Sequence, residues 1–161
     1  MIGILRQLFG RGEPILSEAT AQDSRAIAAL HSASFRRGWS EQEVEGILID
    51  NAVIAHRALC GRSLAGFVIS RRALDEAEIL SIAVAHRYQG RGLARQLLTL
   101  HLRRLAGFGT RAVFLEVDEY NKPAIKLYER AGFREISRRP HYYPQASGKA
   151  AAALVLRRDL A

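Results

Sequence analysis

A glycine-containing turn between an apolar strand and a long amphipathic helix constrains this chain more than any other feature. It lies in residues 82–95, which read IAVAHRYQGRGLAR. The first amides of a helix have no intrahelical partner and carry about half a positive charge from the helix dipole, so they suit a pyrophosphate. Gly90 and Gly92 would let phosphate oxygens approach the backbone and adopt the positive φ of such turns. The turn predicts a phosphate-bearing ligand, and a plain strand-to-helix loop is the alternative.

Length and cysteine content bound the organisation of the chain. Its 161 residues are enough to bury a core, and we expect one domain over residues 1–161 with a flexible leader at residues 1–12. Cys60 is the only cysteine, so no intrachain disulfide can form. That favours a reducing, cytoplasmic location. The apolar stretch in the leader is too short for a secretory signal or a membrane span, so no membrane association is expected.

The positive charge of the chain is large but dispersed. Lys and Arg number 24 against 16 Asp and Glu, which gives a net charge of +8. Only three of the basic residues are lysines, and the arginines are spread over every segment instead of forming one stripe. We therefore expect no direct nucleic-acid binding, although the charge is compatible with an acidic partner.

Hydrophobic periodicity predicts a mixed α/β (α+β) chain with the element order β-α-α-β-β-β-α-β-α-β-β. The strands are expected at residues 15–19, 53–59, 64–71, 78–84, 112–117, 134–143 and 151–158. The first helix is expected at residues 23–35, and the second follows a capping box at Ser40 and Glu43. The third is expected from Leu93 to a stop at Gly107 and Gly109, and the fourth from Asn121 to a stop at Gly132.

Two polar side chains in the second half of the chain are candidates for proton transfer. Glu116 shares a strand face with Phe114, and a buried carboxylate without a partner would have a raised pKa, useful to a general base. An edge-strand glutamate facing water is the alternative. Tyr128 falls on the inner face of the following helix, where a core tyrosine is the alternative to a general acid.

These residues resemble a known family. The run Gln89 to Ala94 is similar to the Q/R-x-x-G-x-G/A signature of the GNAT acetyltransferases, whose element order matches. Other segments resemble bacterial ribosomal-protein alanine N-acetyltransferases of the RimI type: Gly38-Trp39-Ser40, Leu115-Glu116-Val117, Asn121, Leu127-Tyr128-Glu129, Gly132-Phe133 and residues 138–144. Arg36-Arg37-Gly38 before Trp39 is a departure from that pattern.

The resemblance implies a fold and a set of binding residues. The fold is a mixed, mostly antiparallel sheet with a splayed parallel strand pair and helices on both faces. Acetyl-CoA would be the co-substrate, with no metal. Its binding residues would be Ile82, Ala83 and Val84 for the pantetheine arm, Gln89, Gly90, Arg91, Gly92, Leu93, Ala94 and Arg95 for the pyrophosphate, and Asn121. Acceptor-side candidates are Trp39, Tyr142 and Tyr143, for which covering a core edge is the alternative.

The resemblance also implies the reaction, which is acetyl transfer to a protein N-terminal α-amine, specifically the N-terminal alanine of the eighteenth small-subunit ribosomal protein. Glu116 would take the amine proton and Tyr128 would protonate the departing thiolate, so Cys60 is not expected to act as a nucleophile. His31, His56, His86, His101 and His141 are expected to be isolated from one another, without a metal site. Acetylation of a lysine side chain or a small-molecule amine is one alternative. A non-catalytic module that binds CoA or the ribosome is another.

Overall fold

The computed structural model describes residues 12–144 and 150–160, and only the backbone of residues 141–144. Most of the predicted leader, residues 1–11, therefore lies outside the described residues. The described strands are β1 (Ile15–Glu18), β2 (Val53–Cys60), β3 (Ser63–Ala73), β4 (Glu76–Val84), β5 (Ala112–Asp118), β6 (Arg134–Pro144) and β7 (Ala150–Asp159). The described α-helices are α1 (Ser24–Ser34), α2 (Glu41–Leu48), α3 (Leu93–Gly107) and α4 (Lys122–Arg130). The predicted element order is confirmed.

All seven described strands join one sheet in the order β1-β2-β3-β4-β5-β7-β6. Neighbours are antiparallel except β4 and β5, which are parallel and are connected through α3. Because the carboxyl ends of parallel strands meet at the same edge of a sheet, the segments that follow β4 and β5 emerge together. This is the mixed sheet that the resemblance implied.

Alternation along β3 divides the core into two apolar layers on opposite faces of the sheet. Phe67 and Ile69 pack with side chains of α1 and α2, while Val68 between them packs with α3. The α3 layer also contains Tyr128 from α4. Helices therefore cover both faces, as expected for this fold.

Capping residues set the starts of two helices where the sequence predicted them. Ser40 Oγ accepts a hydrogen bond from the Glu43 amide at 3.1 Å. Asn121 Oδ1 accepts one from the Ala124 amide at 3.3 Å. Each side chain satisfies an amide that has no acceptor within its helix.

The pairing between β4 and β5 is short, and this positions the site. The strands pair only from Glu76 to Glu78 on β4, against residues 112–114 of β5. Beyond that point β4 continues along β3 as far as Val84, and β5 continues along β7. Ile69 pairs with Ser81 while Ser70 pairs with Ile79, so the intervening residue of β4 forms a β-bulge. The two parallel strands therefore separate toward their carboxyl ends.

The expectation that the histidines are isolated is wrong for His56 and His101. Their Nδ1 atoms are 2.7 Å apart, and His101 Nε2 is 2.6 Å from Ser70 Oγ. Packing of α3 on β2 and β3 brings these buried residues together, although the two histidines are 45 positions apart in the sequence. Burial and then the neighbouring His56 lower the pKa of His101 to about 3. Burial also lowers the pKa of His56, with Glu18 opposing the shift and Arg104 adding to it.

This buried pair predicts an acid-sensitive fold. Both histidines titrate below the ordinary pKa of 6.5, so unfolding takes up protons as the pH falls from 6.5 toward 3 and stability declines there. The loss is about 1.4 kcal/mol per pH unit for each proton taken up. Replacing His101 with Gln, which keeps an amide group toward Ser70 but does not titrate, is expected to flatten the slope of unfolding free energy between pH 5 and 6.5.

Urea unfolding at a series of pH values measures this slope. His86→Asn is the matched control, because His86 is exposed and its replacement is expected to leave the slope unchanged. An identical slope in wild type and His101→Gln would contradict the buried pair as the source of the acid sensitivity.

Candidate active site

The turn between β4 and α3 has the geometry of an anion site. Gly90 and Gly92 adopt φ of +76° and +78°. A Cβ at either position would meet nothing within 4 Å, so the backbone conformation and not crowding within the protein requires glycine. The first intrahelical bond of α3 runs from the Gln96 amide to the Gly92 carbonyl at 3.1 Å. The amides of residues 93–95 precede it, and the first turn of the helix contains no acidic residue.

Gln89 ties this turn back to the end of the preceding strand. Its Nε2 donates to the Val84 carbonyl at 3.0 Å. A short 3₁₀ turn, His86–Tyr88, lies between them, and its last side chain, Tyr88, is buried in the α3 layer of the core. In this structure the Gln89 side chain therefore holds the shape of the turn.

The last residues of β4 lie beside the gap between the parallel strands. Ile82, Ala83 and Val84 pair with β3 on one side, and the ladder to β5 has already ended on the other. A strand edge of this kind offers backbone donors and acceptors to an extended ligand that carries amides. Together with the open space at the two glycines, this edge fits the pantetheine and pyrophosphate groups of acetyl-CoA.

The environment of Glu116 differs from both predictions, the buried carboxylate without a partner and the edge-strand glutamate facing water. It lies on β5, which is inside the sheet between β4 and β7, so it is not on an edge strand. Its side chain is 23% exposed and pairs with the Arg139 guanidinium, with Oε1 2.8 Å from Nη2. The expectation of a buried carboxylate without a partner is therefore wrong. Alternation along β5 is as predicted, because Val113, Leu115 and Val117 are buried in the α3 layer on the other face.

Tyr128 packs as a core residue in the same layer. It is 6% exposed, and its ring meets Phe133 edge-on with centroids 5.7 Å apart. Burial raises its pKa above the ordinary value for a tyrosine. The phenol is thus fully protonated at neutral pH. Glu116 and Tyr128 therefore lie on opposite faces of the sheet.

The remaining predicted residues lie on three other segments. Asn121 is exposed at the start of α4, just after β5, at the edge of the sheet where the glycine turn also emerges. Trp39 is half-buried in the loop between α1 and α2, stacked on His31. Tyr142 and Tyr143 lie near the end of β6, and their side chains are outside the described part of the chain.

Sequence reasoning missed three residues that shape this region. Arg139 pairs with Glu116, His31 contacts Trp39, and Gly66 lets β3 approach its neighbours. A Cβ on Gly66 would lie 2.9 Å from Leu97 Cδ1 and 3.0 Å from the Ala83 carbonyl. None of the three has a local sequence pattern that indicates its partner.

An open groove lies nearby but does not coincide with the predicted site. It has a volume of about 540 Å³, and its basic lining residues are Arg95, Arg103, Arg130 and Arg158. Only Arg95 is among the predicted cofactor residues. The remainder of the groove runs along α3 toward the end of α4 and β7.

Comparison with known proteins decides the family. The Acetyltransferase (GNAT) family model matches residues 24–133. The chain belongs to the GNAT family of acetyltransferases. It is 35% identical over 138 residues to the [Ribosomal protein bS18]-alanine N-acetyltransferase of Haemophilus ducreyi, covering 84% of this chain and 92% of that protein. The enzyme of the same name from Escherichia coli K12 is 40% identical over 92 residues, 57% of this chain and 62% of that protein.

Solved structures agree with this assignment. The crystal structure of the ribosomal-protein-S18-alanine N-acetyltransferase from Escherichia coli has a TM-score of 0.86 and 29% identity, covering 92% of this chain and 94% of that one. Arabidopsis thaliana NAA60 in complex with acetyl-CoA has a TM-score of 0.80 at 19% identity, with coverage of 91% and 98%, which shows the shared GNAT fold.

The described residues contain no group of three or more His, Cys, Asp or Glu side chains that could hold a metal ion. None of their helices is long and apolar enough to cross a membrane.

The geometry of the glycine turn predicts that Gly92→Asp weakens acetyl-CoA binding about ten-fold or more, because it adds a carboxylate where an anion site is expected. Isothermal titration calorimetry with acetyl-CoA measures this. Gly109→Asp is the matched control: Gly109 also has a positive φ (+88°) and open space, but lies just beyond the other end of α3. Equal affinity of the two variants for acetyl-CoA would mean that the turn is not part of the binding site.

Proposed function

We propose that this chain transfers the acetyl group of acetyl-CoA to the α-amine of a protein N-terminus, and that its acceptor is the N-terminal alanine of ribosomal protein bS18. The observation that supports this choice of acceptor is the 35% identity to a bS18-alanine N-acetyltransferase over 92% of that protein's length. The glycine turn and the open edge of β4 support acetyl-CoA as the co-substrate.

The binding residues follow from the two parts of that site. Backbone groups of Ile82, Ala83 and Val84 would hold the pantetheine arm, and Gln89 would keep the turn in place. Amides of the segment from Gly90 to Arg95 would hold the pyrophosphate, where the dipole of α3 favours negative charge. Asn121, at the same edge of the sheet, would meet the cofactor from α4. Acetyl-CoA supplies an activated acetyl group and a thiol leaving group.

Glu116 is the proposed general base. An α-ammonium has a pKa near 8, so about a tenth of the amine is neutral at pH 7. A carboxylate can take the proton from the ammonium form directly or through water. Arg139 fixes the carboxylate through Oε1. The pair thus sets the direction from which the acceptor amine delivers its proton.

Tyr128 is the proposed general acid. Its burial keeps the phenol protonated over the whole range in which the acceptor amine titrates. The proton would pass from the phenol to the sulfur as the carbon–sulfur bond breaks. Glu116 would then release the amine proton to solvent and the phenolate would take up a proton from solvent, which restores the enzyme. A backbone amide near Val84 would stabilise negative charge on the carbonyl oxygen.

These roles predict that Glu116→Gln and Tyr128→Phe each lower kcat by about 10² to 10⁴ while leaving acetyl-CoA affinity within a few fold. Steady-state kinetics with an N-terminal peptide and calorimetry with acetyl-CoA separate the two effects. Glu78→Gln and Tyr120→Phe are the matched controls, since both side chains are exposed on neighbouring segments. Wild-type turnover in both test variants would reject the assignments without affecting the family.

The proposed acceptor predicts selectivity for an α-amine over a lysine ε-amine. Lysine, with a pKa near 10.4, is neutral to less than about a thousandth at pH 7, so a single carboxylate base suits the α-amine better. Mass spectrometry on a peptide with a free N-terminal alanine and an internal lysine is expected to find acetyl only at the N-terminus. The same peptide with a blocked N-terminus is the control, and its acetylation at a similar rate would favour the lysine alternative.

A further inference from the structure

The loop between α1 and α2, residues 35–40, is fitted closely onto α1. The Trp39 indole stacks on the His31 imidazole, with ring centroids 4.0 Å apart and planes within 9°. Phe35 lies on the same imidazole at 4.5 Å. Gly38 approaches α1 so closely that a Cβ would lie 2.2 Å from Ser32 Oγ. The position of Trp39 therefore depends on α1, and above all on His31.

A hydrogen bond makes this contact specific for one protonation state. The Trp39 backbone N–H donates to His31 Nδ1 at 3.1 Å. Nδ1 can accept only when it carries no proton, so the imidazole must be neutral with its proton on Nε2. An imidazolium would instead place an N–H against the Trp39 N–H. Protonation of His31 thus removes the bond and substitutes a repulsion.

The surroundings of His31 determine when that happens. The side chain is buried, 5% exposed, between the aromatic loop residues and Phe67 of β3, whose ring centroid is 6.4 Å away. Burial lowers the pKa of His31 below its ordinary value of 6.5, and the Glu43 carboxylate of α2 partly opposes the shift. Phe35, Trp39 and Phe67 carry no charge. His31 is therefore neutral at pH 7 and above, and becomes protonated only as the pH falls below 6.5.

We propose that His31 is a positioning residue for the acceptor: in its neutral form it holds Trp39 and residues 35–40 in the conformation that receives the N-terminal peptide, and it releases them when it is protonated. The link to the acceptor rests on the proposed function and on the resemblance, which implied that Trp39 is an acceptor-side residue. Acceptor binding is then weakened in acid by a proton that acts on the enzyme, in addition to the proton that acts on the amine.

The state of the loop can be measured without any substrate, because Trp39 is the only tryptophan of the chain. We expect the intrinsic fluorescence of the wild type to change in one step as the pH falls below 6.5, since protonation disrupts the stack. Circular dichroism over the same range establishes that the fold persists.

Two replacements of His31 separate its ring from its acceptor atom. His31→Asn keeps an acceptor near the Nδ1 position and cannot be protonated, so the fluorescence step is expected to disappear. His31→Phe keeps a ring for the stack but has no acceptor, so the loop is expected to be displaced at every pH. His86→Asn, at an exposed histidine, is the control that retains the step. A step that persists in His31→Asn, or is absent from the folded wild type, would overturn the proposal.

Kinetics then test the link to the acceptor. At pH values below that of the fluorescence step, the KM for the peptide is expected to rise about ten-fold per pH unit more in the wild type than in His31→Asn. The KM for acetyl-CoA is expected to stay within a few fold in both. Equal pH profiles for the peptide, in the presence of the fluorescence step, would overturn the positioning role while leaving the acetyltransferase function intact. Failure of the wild type to acetylate the peptide at pH 7.5 would instead overturn the proposed function, and the fluorescence result would still decide whether His31 holds the loop.

Discussion

The short ladder between β4 and β5 is the constraint on which the rest of the site depends. Parallel strands need a crossover connection, and here α3 provides it, so the end of β4, the start of α3 and the end of β5 must meet at one edge of the sheet. Because the ladder stops after three residue pairs, backbone groups of β4 face a gap inside the sheet. Such groups need hydrogen-bond partners, and an extended ligand with amides can supply them.

Electrostatics add a second contribution to the proposed cofactor site, beside that of the separated strands. The amides at the start of α3 add positive potential beside the gap, and no acidic residue in the first helical turn opposes it. Glu116 and Tyr128 lie on opposite faces of the sheet: Glu116 is paired with Arg139, and Tyr128 is buried and retains its proton. The two buried histidine contacts predict acid sensitivity at separate places. His56 and His101 join β2 to α3, and His31 contacts the loop that carries Trp39.

Local signals in the sequence predicted much of this arrangement, and long-range pairing accounts for what they missed. The positive φ of Gly90 and Gly92, the caps at Ser40 and Asn121 and the alternation around Glu116 all depend on neighbours within a few residues. The β-bulge in β4 depends on how that strand registers with β3, which periodicity does not specify. Arg139 reaches Glu116 across β7, and His56 reaches His101 through helix packing, so neither partner was visible from spacing along the chain.

Amide hydrogen exchange with and without acetyl-CoA tests whether the separated strands and the start of α3 hold the cofactor, because it reports on backbone groups one segment at a time. We expect the ligand to slow exchange at residues 82–84 and 90–95, with little change in β1, β2 and α2. Protection confined to the arginine-lined groove along α3 and the end of α4, with none at residues 82–84, would contradict this expectation. That result would mean that the separated strands do not hold the cofactor.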